Sequence, residues 1–270
     1  MIAIPQPVQT IASYFAALPE VAAVVLGGSL TTQAADSFSD FDIYIYSHQA
    51  LPPAIRASLA AQLADPAHPV EINNPYWGSE DAWIEKQSGI KADLVYWSPT
   101  WIEEQLNQVL VNHQASTGYS TCFWYTILHS TPVFDRTGWF RQLHQQANQP
   151  YPDALRRAII RQNYPVLRHA IPAYRSQIAL AIARQDFISL NHRIAALLAS
   201  YFDVLFAVNR VPHPGEKRLI QRAHQLCTRL PHALDDQIDA VLRSDPQTTL
   251  MHLDALLDSF DQFLRAEGLI

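Results

Sequence analysis

Two hydrophobic periods alternate along the first half of the chain. Val8, Ile11, Tyr14 and Phe15 keep helical spacing and predict a helix over residues 7–18. Short apolar runs predict strands at 21–26, 41–46 and 90–96, with a further strand or sheet edge beginning at 70–72. Helices are expected at 53–63, stopped by Asp65-Pro66, and at 99–111, where Trp101, Leu106 and Leu110 are apolar positions. Residues 80–86 read as a short helical turn, 118–128 as another helix and 132–138 as a short strand and turn. Such alternation predicts an α/β or α+β layer, helices covering a sheet.

From Pro152 onward the pattern is helical only. A long helix over 156–184 is expected to break or kink at Pro165 and Pro172. Residues 187–209 follow, with Leu190, Ile194, Leu197, Leu198, Tyr201, Phe202, Leu205 and Phe206 at helical spacing. Helices over 217–229, 233–243 and 248–265 complete a bundle, and these apolar stripes are its core. The polar stretch 145–152, with two prolines, separates the two patterns. The expected class is α+β: a mixed sheet flanked by helices over residues 1–147 and a helical bundle over 148–270.

Composition narrows the setting. At 270 residues and 49% apolar content, the chain can bury a sizeable core in one large domain or two ordinary ones. It has no uninterrupted apolar run of about 18 residues, so no transmembrane helix is expected. Met1-Ile2-Ala3-Ile4-Pro5 lacks the basic-then-apolar order of a signal peptide. Cys122 and Cys227 offer neither metal spacing nor a disulfide framework, which fits a reducing cytoplasm. The net charge is −6, the only lysines are Lys86, Lys91 and Lys217, and no basic run exists. That argues against a nucleic-acid partner and suits a cationic small molecule instead. The sequence leaves a homodimer open.

The chemistry concentrates in two strands and the turn before one of them. Val24-Val25-Leu26-Gly27-Gly28-Ser29 is followed, after ten residues, by Asp40-Phe41-Asp42-Ile43-Tyr44-Ile45. Side chains alternate along a strand, so Asp40 and Asp42 share one face while Phe41 and Ile43 point to a core. Two like charges this close repel unless a cation lies between them, and Mg²⁺ takes hard oxygen ligands of this kind. Gly27 and Gly28 allow close backbone approach, and Ser29, near a helix start, would offer a phosphate a hydroxyl and an N–H. Lys91-Ala92-Asp93-Leu94-Val95 is a later strand with one carboxylate. Laid beside the first acidic strand, it would set Asp93 across from the pair, and three carboxylates around two metals are the arrangement that clamps attacking and leaving oxygens in phosphoryl or nucleotidyl transfer.

Gly-Gly-Ser, the ten-residue gap, Asp-x-Asp and the lone Asp93 resemble the polymerase-β-like nucleotidyltransferase superfamily. Within it the chain looks most like the small bacterial two-domain members related to aminoglycoside and lincosamide nucleotidyltransferases. The motifs cover about residues 20–97. The resemblance implies a nucleotidyltransferase-fold sheet and Mg²⁺-dependent transfer of a nucleoside monophosphate, AMP from ATP, to a hydroxyl of a small-molecule acceptor, with release of pyrophosphate. On that resemblance Asp40 and Asp42 hold the metal bound to the triphosphate, Asp93 completes a second metal site or takes the acceptor proton, and Gly28 and Ser29 position the nucleoside triphosphate. Similar helical domains lend a lysine to the triphosphate, which points to Lys217 in the loop 209–218; the plainer reading of that loop is a solvated turn between helices. The strand–turn around Asp135 and Gly138 is similar to one that closes the catalytic domain in related enzymes. Trp77, Glu80, Asp81 and Trp83 are either the wall of an acceptor cleft or a helix start capped by Ser79. Modification of a protein, a toxin–antitoxin role, action on tRNA ends, and nucleotide binding without turnover are the alternative activities. A loose match of Arg218 and His224 to helical ribonuclease domains is what 16 arginines and 11 histidines give by chance.

Overall fold

The structure, a computed structural model, describes residues 3–32, 36, 39–74, 76 and 79–270. The chain divides into two compact units, Met1–Asn107 with Thr126–Gln149 and Gln108–Tyr125 with Pro150–Ile270. The elements up to residue 149 are α1 (Gln6–Ala16), β1 (Val21–Leu26), β2 (Phe41–Ser47), α2 (Pro53–Leu63), β3 (Glu80–Ile84), β4 (Lys91–Trp97), α3 (Pro99–Leu110), α4 (Cys122–His129), β5 (Thr131–Asp135) and α5 (Trp139–Ala147). The class is α+β, as expected.

The sheet of the first unit is mixed, in the order β3-β4-β2-β1-β5. β2 and β4 run parallel, while β1 pairs antiparallel with both β2 and β5, and β3 antiparallel with β4. Alternation then sorts the side chains. One face carries Val24 and Leu26, Phe41, Ile43 and Ile45, Ala92 and Leu94, and Trp83, all buried against Val8, Ile11 and Phe15 of α1 and Leu59 of α2. Burying a side chain of this size contributes roughly 1.5–3 kcal/mol, so this layer fixes the strand register. The opposite face carries Asp42, Tyr44 and Tyr46 beside Asp93, Val95 and Trp97. At its far end Tyr46 packs on Trp139 and Phe140, and Trp97 on Trp101, with ring centroids 5.1–5.6 Å apart. The carboxylates lie at the other end of that face.

Two local expectations change and one is narrowed. Residues 80–84 are a strand, not a helical turn: Asp81 and Trp83 are buried while Glu80, Ala82 and Ile84 alternate with them, and the segment pairs along β4. Among the described residues, Glu71 forms a single bridge with Ala82, so this segment is the sheet edge of the two forms expected. α4 begins at Cys122 because Gly118 and Tyr119 both take left-handed backbone angles, φ 78° and 57°, which a helix cannot continue.

The second unit contains α6 (Asp153–Arg168), α7 (Tyr174–Ala183), α8 (Phe187–Val208), α9 (Leu219–Leu226), α10 (Leu234–Leu242) and α11 (Thr249–Ala266). The long helix expected over 156–184 is two helices. Pro165 sits within α6, and Pro172 lies in the turn before α7. Leu197, Tyr201, Leu205 and Phe206 of α8 form the core with Leu253, Leu257 and Phe260 of α11. Asp203 on α8 accepts from the Ser120 N–H and hydroxyl and from Asn163 Nδ2, which anchors the segment before α4 within this unit. Burial pushes the Asp203 carboxyl up to about 7. No helix among the described residues is long and apolar enough to cross a membrane.

Candidate active site

The parallel register of β2 and β4 sets Asp42 directly beside Asp93. Asp40 precedes β2 by one residue. Each of Asp40, Asp42 and Asp93 offers a carboxylate oxygen, and these oxygens lie within 4.8 Å of one another. All three residues are half-buried. The apolar half of the alternation produces this convergence: Phe41, Ile43, Ala92 and Leu94 are held in the core, so the acids between them share the other face.

Like charges at this separation repel. Burial first, and then the Asp40 charge, raise the Asp93 carboxyl above its ordinary range, against the pull of Lys91. Tyr44, two residues along from Asp42, is raised as well, by burial and by the charges of Asp42 and Asp40. Lys91 Nζ lies 2.8 Å from Asp93 Oδ1. Burial works against the lysine charge, but its hydrogen bond to Asp93 and the charges of Asp93, Asp40 and Glu80 outweigh that, so its pKa stands above the ordinary value.

The turn before β2 is shaped around Asp42. Gly28 has φ 69° and ψ −153°, a conformation open to glycine alone. A Cβ at this position would meet Asp42 Oδ2 at 1.7 Å. A Cβ at Gly27 would meet the Tyr44 ring at 2.4 Å, and the Gly27 N–H donates to the Asp42 carbonyl at 2.9 Å. The two glycines therefore let the β1 turn lie against the acidic strand. Ser29 opens a three-residue 3₁₀ turn rather than an α-helix, and its hydroxyl donates to Ser39 Oγ at 2.9 Å, across the ten-residue loop.

The remaining candidates have varied settings. Lys217 is exposed, in a turn of the second unit just before α9. Trp83 is 2% exposed and belongs to the core, so it forms no cleft wall. Asp81 is fully buried and committed: it pairs with Arg56 Nη1 at 3.2 Å and accepts from the Tyr96 hydroxyl at 2.6 Å and the Asn73 N–H at 2.7 Å. It is a structural acid and is not free to meet a cationic acceptor. Glu80 is half-buried and lies on the carboxylate face, where burial and Asp93 raise its pKa. Trp77 lies outside the described residues. Asp135 turns its carboxylate to the N–H groups of Phe140 and Arg141 and so caps the start of α5.

No protein-family model and no curated protein matches the chain. Among solved structures, it is similar to a nucleotidyltransferase-like protein from Exiguobacterium sibiricum 255-15, at 12% identity over 98% of this chain and 75% of that one, with a TM-score of 0.44.

The sequence assigned no role to Lys91 or Tyr44. The signal was present for both, since each stands two residues from an acid in a strand and therefore shares its face.

Proposed function

We propose that the chain is a Mg²⁺-dependent nucleotidyltransferase that moves AMP from ATP to a hydroxyl of a small, cationic, aminoglycoside-like acceptor. The observation that carries this reading is the convergence of Asp40, Asp42 and Asp93 within 4.8 Å. Three hard oxygen donors at that spacing suit a divalent cation, and the lack of a side chain at Gly28 lets the turn pack directly against the Asp42 carboxylate. Asp40, Asp42 and Asp93 are the residues that would hold Mg²⁺, which when bound neutralises phosphate oxygens.

The chain's own groups supply the rest. The acceptor oxygen attacks the α-phosphorus in line, forming the new P–O bond. The bond from that phosphorus to the oxygen bridging to the β-phosphate breaks, and pyrophosphate leaves with the electron pair. Asp93 either completes the metal site or receives the hydroxyl proton, since a carboxylate bound to the cation stays ionised and is a poor base, while one free of it can serve. Gly28 and Ser29 offer backbone and hydroxyl groups to the triphosphate beside the acids. On the resemblance alone, Lys217 of the second unit is assigned to a nucleoside triphosphate as a mobile point charge. Acceleration then comes from positioning and charge neutralisation rather than from a covalent intermediate. Net charge −6, with no basic run, supports a cationic acceptor over a polynucleotide.

The test is pyrophosphate release from ATP and Mg²⁺ across a panel of aminoglycosides, lincosamides and candidate proteins. Release driven by one of the small molecules supports the reading. Release driven only by a protein would replace the acceptor class, and release that persists in excess chelator would remove the metal from the mechanism.

A further inference from the structure

The β4 strand begins with a lysine on the same face as its acid. Lys91 and Asp93 are two residues apart, and the Nζ–Oδ1 distance is 2.8 Å. The charges of Asp40 and Glu80 also reach Lys91. An ammonium is a compact, strongly hydrated point charge with three donors, and it satisfies carboxylate oxygens much as a hydrated metal ion does. Asp40, Asp42, Asp93 and Lys91 together leave two negative charges, which a single divalent cation neutralises, and Glu80 on the same face adds a further negative charge beside Lys91. A second divalent ion beside Asp93 would have to enter next to the lysine charge or displace it, and like charges at such distances oppose that.

We propose that Lys91 takes the place of a second divalent cation, so that the carboxylate cluster binds one divalent ion with the Lys91 ammonium at Asp93 as its partner charge. This rests on the metal reading of the cluster given above. Lys91 is then a positioning residue. It holds Asp93 Oδ1 and directs the incoming ion toward Asp40 and Asp42.

The experiment is a Mn²⁺ titration of the full, nucleotide-free chain, with free Mn²⁺ followed by electron paramagnetic resonance. Wild type is expected to bind one ion per chain, Lys91→Met two, and Lys91→Arg, which keeps the charge, one. The Lys91 side chain is 52% exposed, so these variants should fold, and Lys91→Gln repeats the test should Lys91→Met fail to. Thermal unfolding supplies a second readout: Lys91→Met should unfold earlier than wild type in chelator and recover fully in Mn²⁺, which loss of an ordinary surface contact would not do. Two ions in wild type, or one ion in both wild type and Lys91→Met, would overturn the role of Lys91 and leave the metal site standing. Absence of binding in wild type, matching Asp42→Asn, would overturn the metal reading and this inference with it.

Discussion

Gly28→Ala tests whether the turn after β1 is built around Asp42. Two costs follow from the structure. The backbone at φ 69°, ψ −153° lies in a region essentially closed to alanine, a strain of about 1–3 kcal/mol. The new Cβ would also stand 1.7 Å from Asp42 Oδ2, 2.6 Å from its Cγ and 2.9 Å from its Cβ. Contact with the Asp42 Cβ means that turning the carboxylate alone cannot relieve the clash. Forcing Asp42 off its rotamer adds about 0.5–1.5 kcal/mol, for a combined loss of about 1.5–4.5 kcal/mol. Gly89→Ala is the internal control, since Gly89 has φ +68° but nothing within 4 Å of its added Cβ. It should cost about 1–2 kcal/mol from backbone strain alone. Urea unfolding followed by tryptophan fluorescence measures both. The decisive readout is Mn²⁺ affinity, which should fall at least about tenfold, the equivalent of ~1.4 kcal/mol, in Gly28→Ala and stay unchanged in Gly89→Ala. Equal destabilisation and intact Mn²⁺ binding in both variants would refute the reasoning.

Three further outcomes are expected. Arg56→Met should destabilise the chain by about 3–5 kcal/mol, because it strands the fully buried Asp81 without its ion pair; a loss under about 1 kcal/mol in urea unfolding would contradict that. Asp203 has a folded pKa of about 7 against an ordinary 3.8, so the folded chain holds an extra proton between those values. Wild type should therefore lose stability relative to Asp203→Asn as pH rises from about 4 to about 7, by on the order of 4 kcal/mol, with no further change above; parallel pH profiles in urea would sink the claim. Lys217→Ala should weaken Mg²⁺-nucleotide binding by calorimetry about tenfold, or ~1.4 kcal/mol, while Mn²⁺ binding without nucleotide stays as in wild type; unchanged nucleotide affinity would return the loop to a solvated turn.

The acidic strands were legible in the sequence because their signal is local. Alternation fixes which face Asp42 and Asp93 occupy, and the apolar residues between them fix the register. The parallel pairing of β2 with β4 is not local. Residues 48–90 intervene, and only the assembled sheet sets Asp42 beside Asp93. The stretch 80–84 misled for a related reason. An acidic run after a serine looks like a helix start, but Asp81 points inward to Arg56, a partner 25 positions away that no local pattern reveals. The delayed start of α4 comes from Gly118 and Tyr119 in left-handed conformations, with the Gly118 N–H bound to Asn163 Oδ1. That is again a long-range contact. Gly28 was legible as a site of close approach, but its need to make room for Asp42 appears only in three dimensions.

The central claim is transfer of a nucleoside monophosphate at the Asp40–Asp42–Asp93 cluster, and isotopic labelling tests it most directly. ATP labelled at the α-phosphate or at the γ-phosphate would be incubated with Mg²⁺, the acceptor panel and either wild type or Asp42→Asn. The α-label should pass to an acceptor in wild type only, the γ-label should appear only in pyrophosphate, and excess chelator should abolish both. Transfer of the γ-label to an acceptor, or equal consumption of ATP by wild type and Asp42→Asn, would contradict the account.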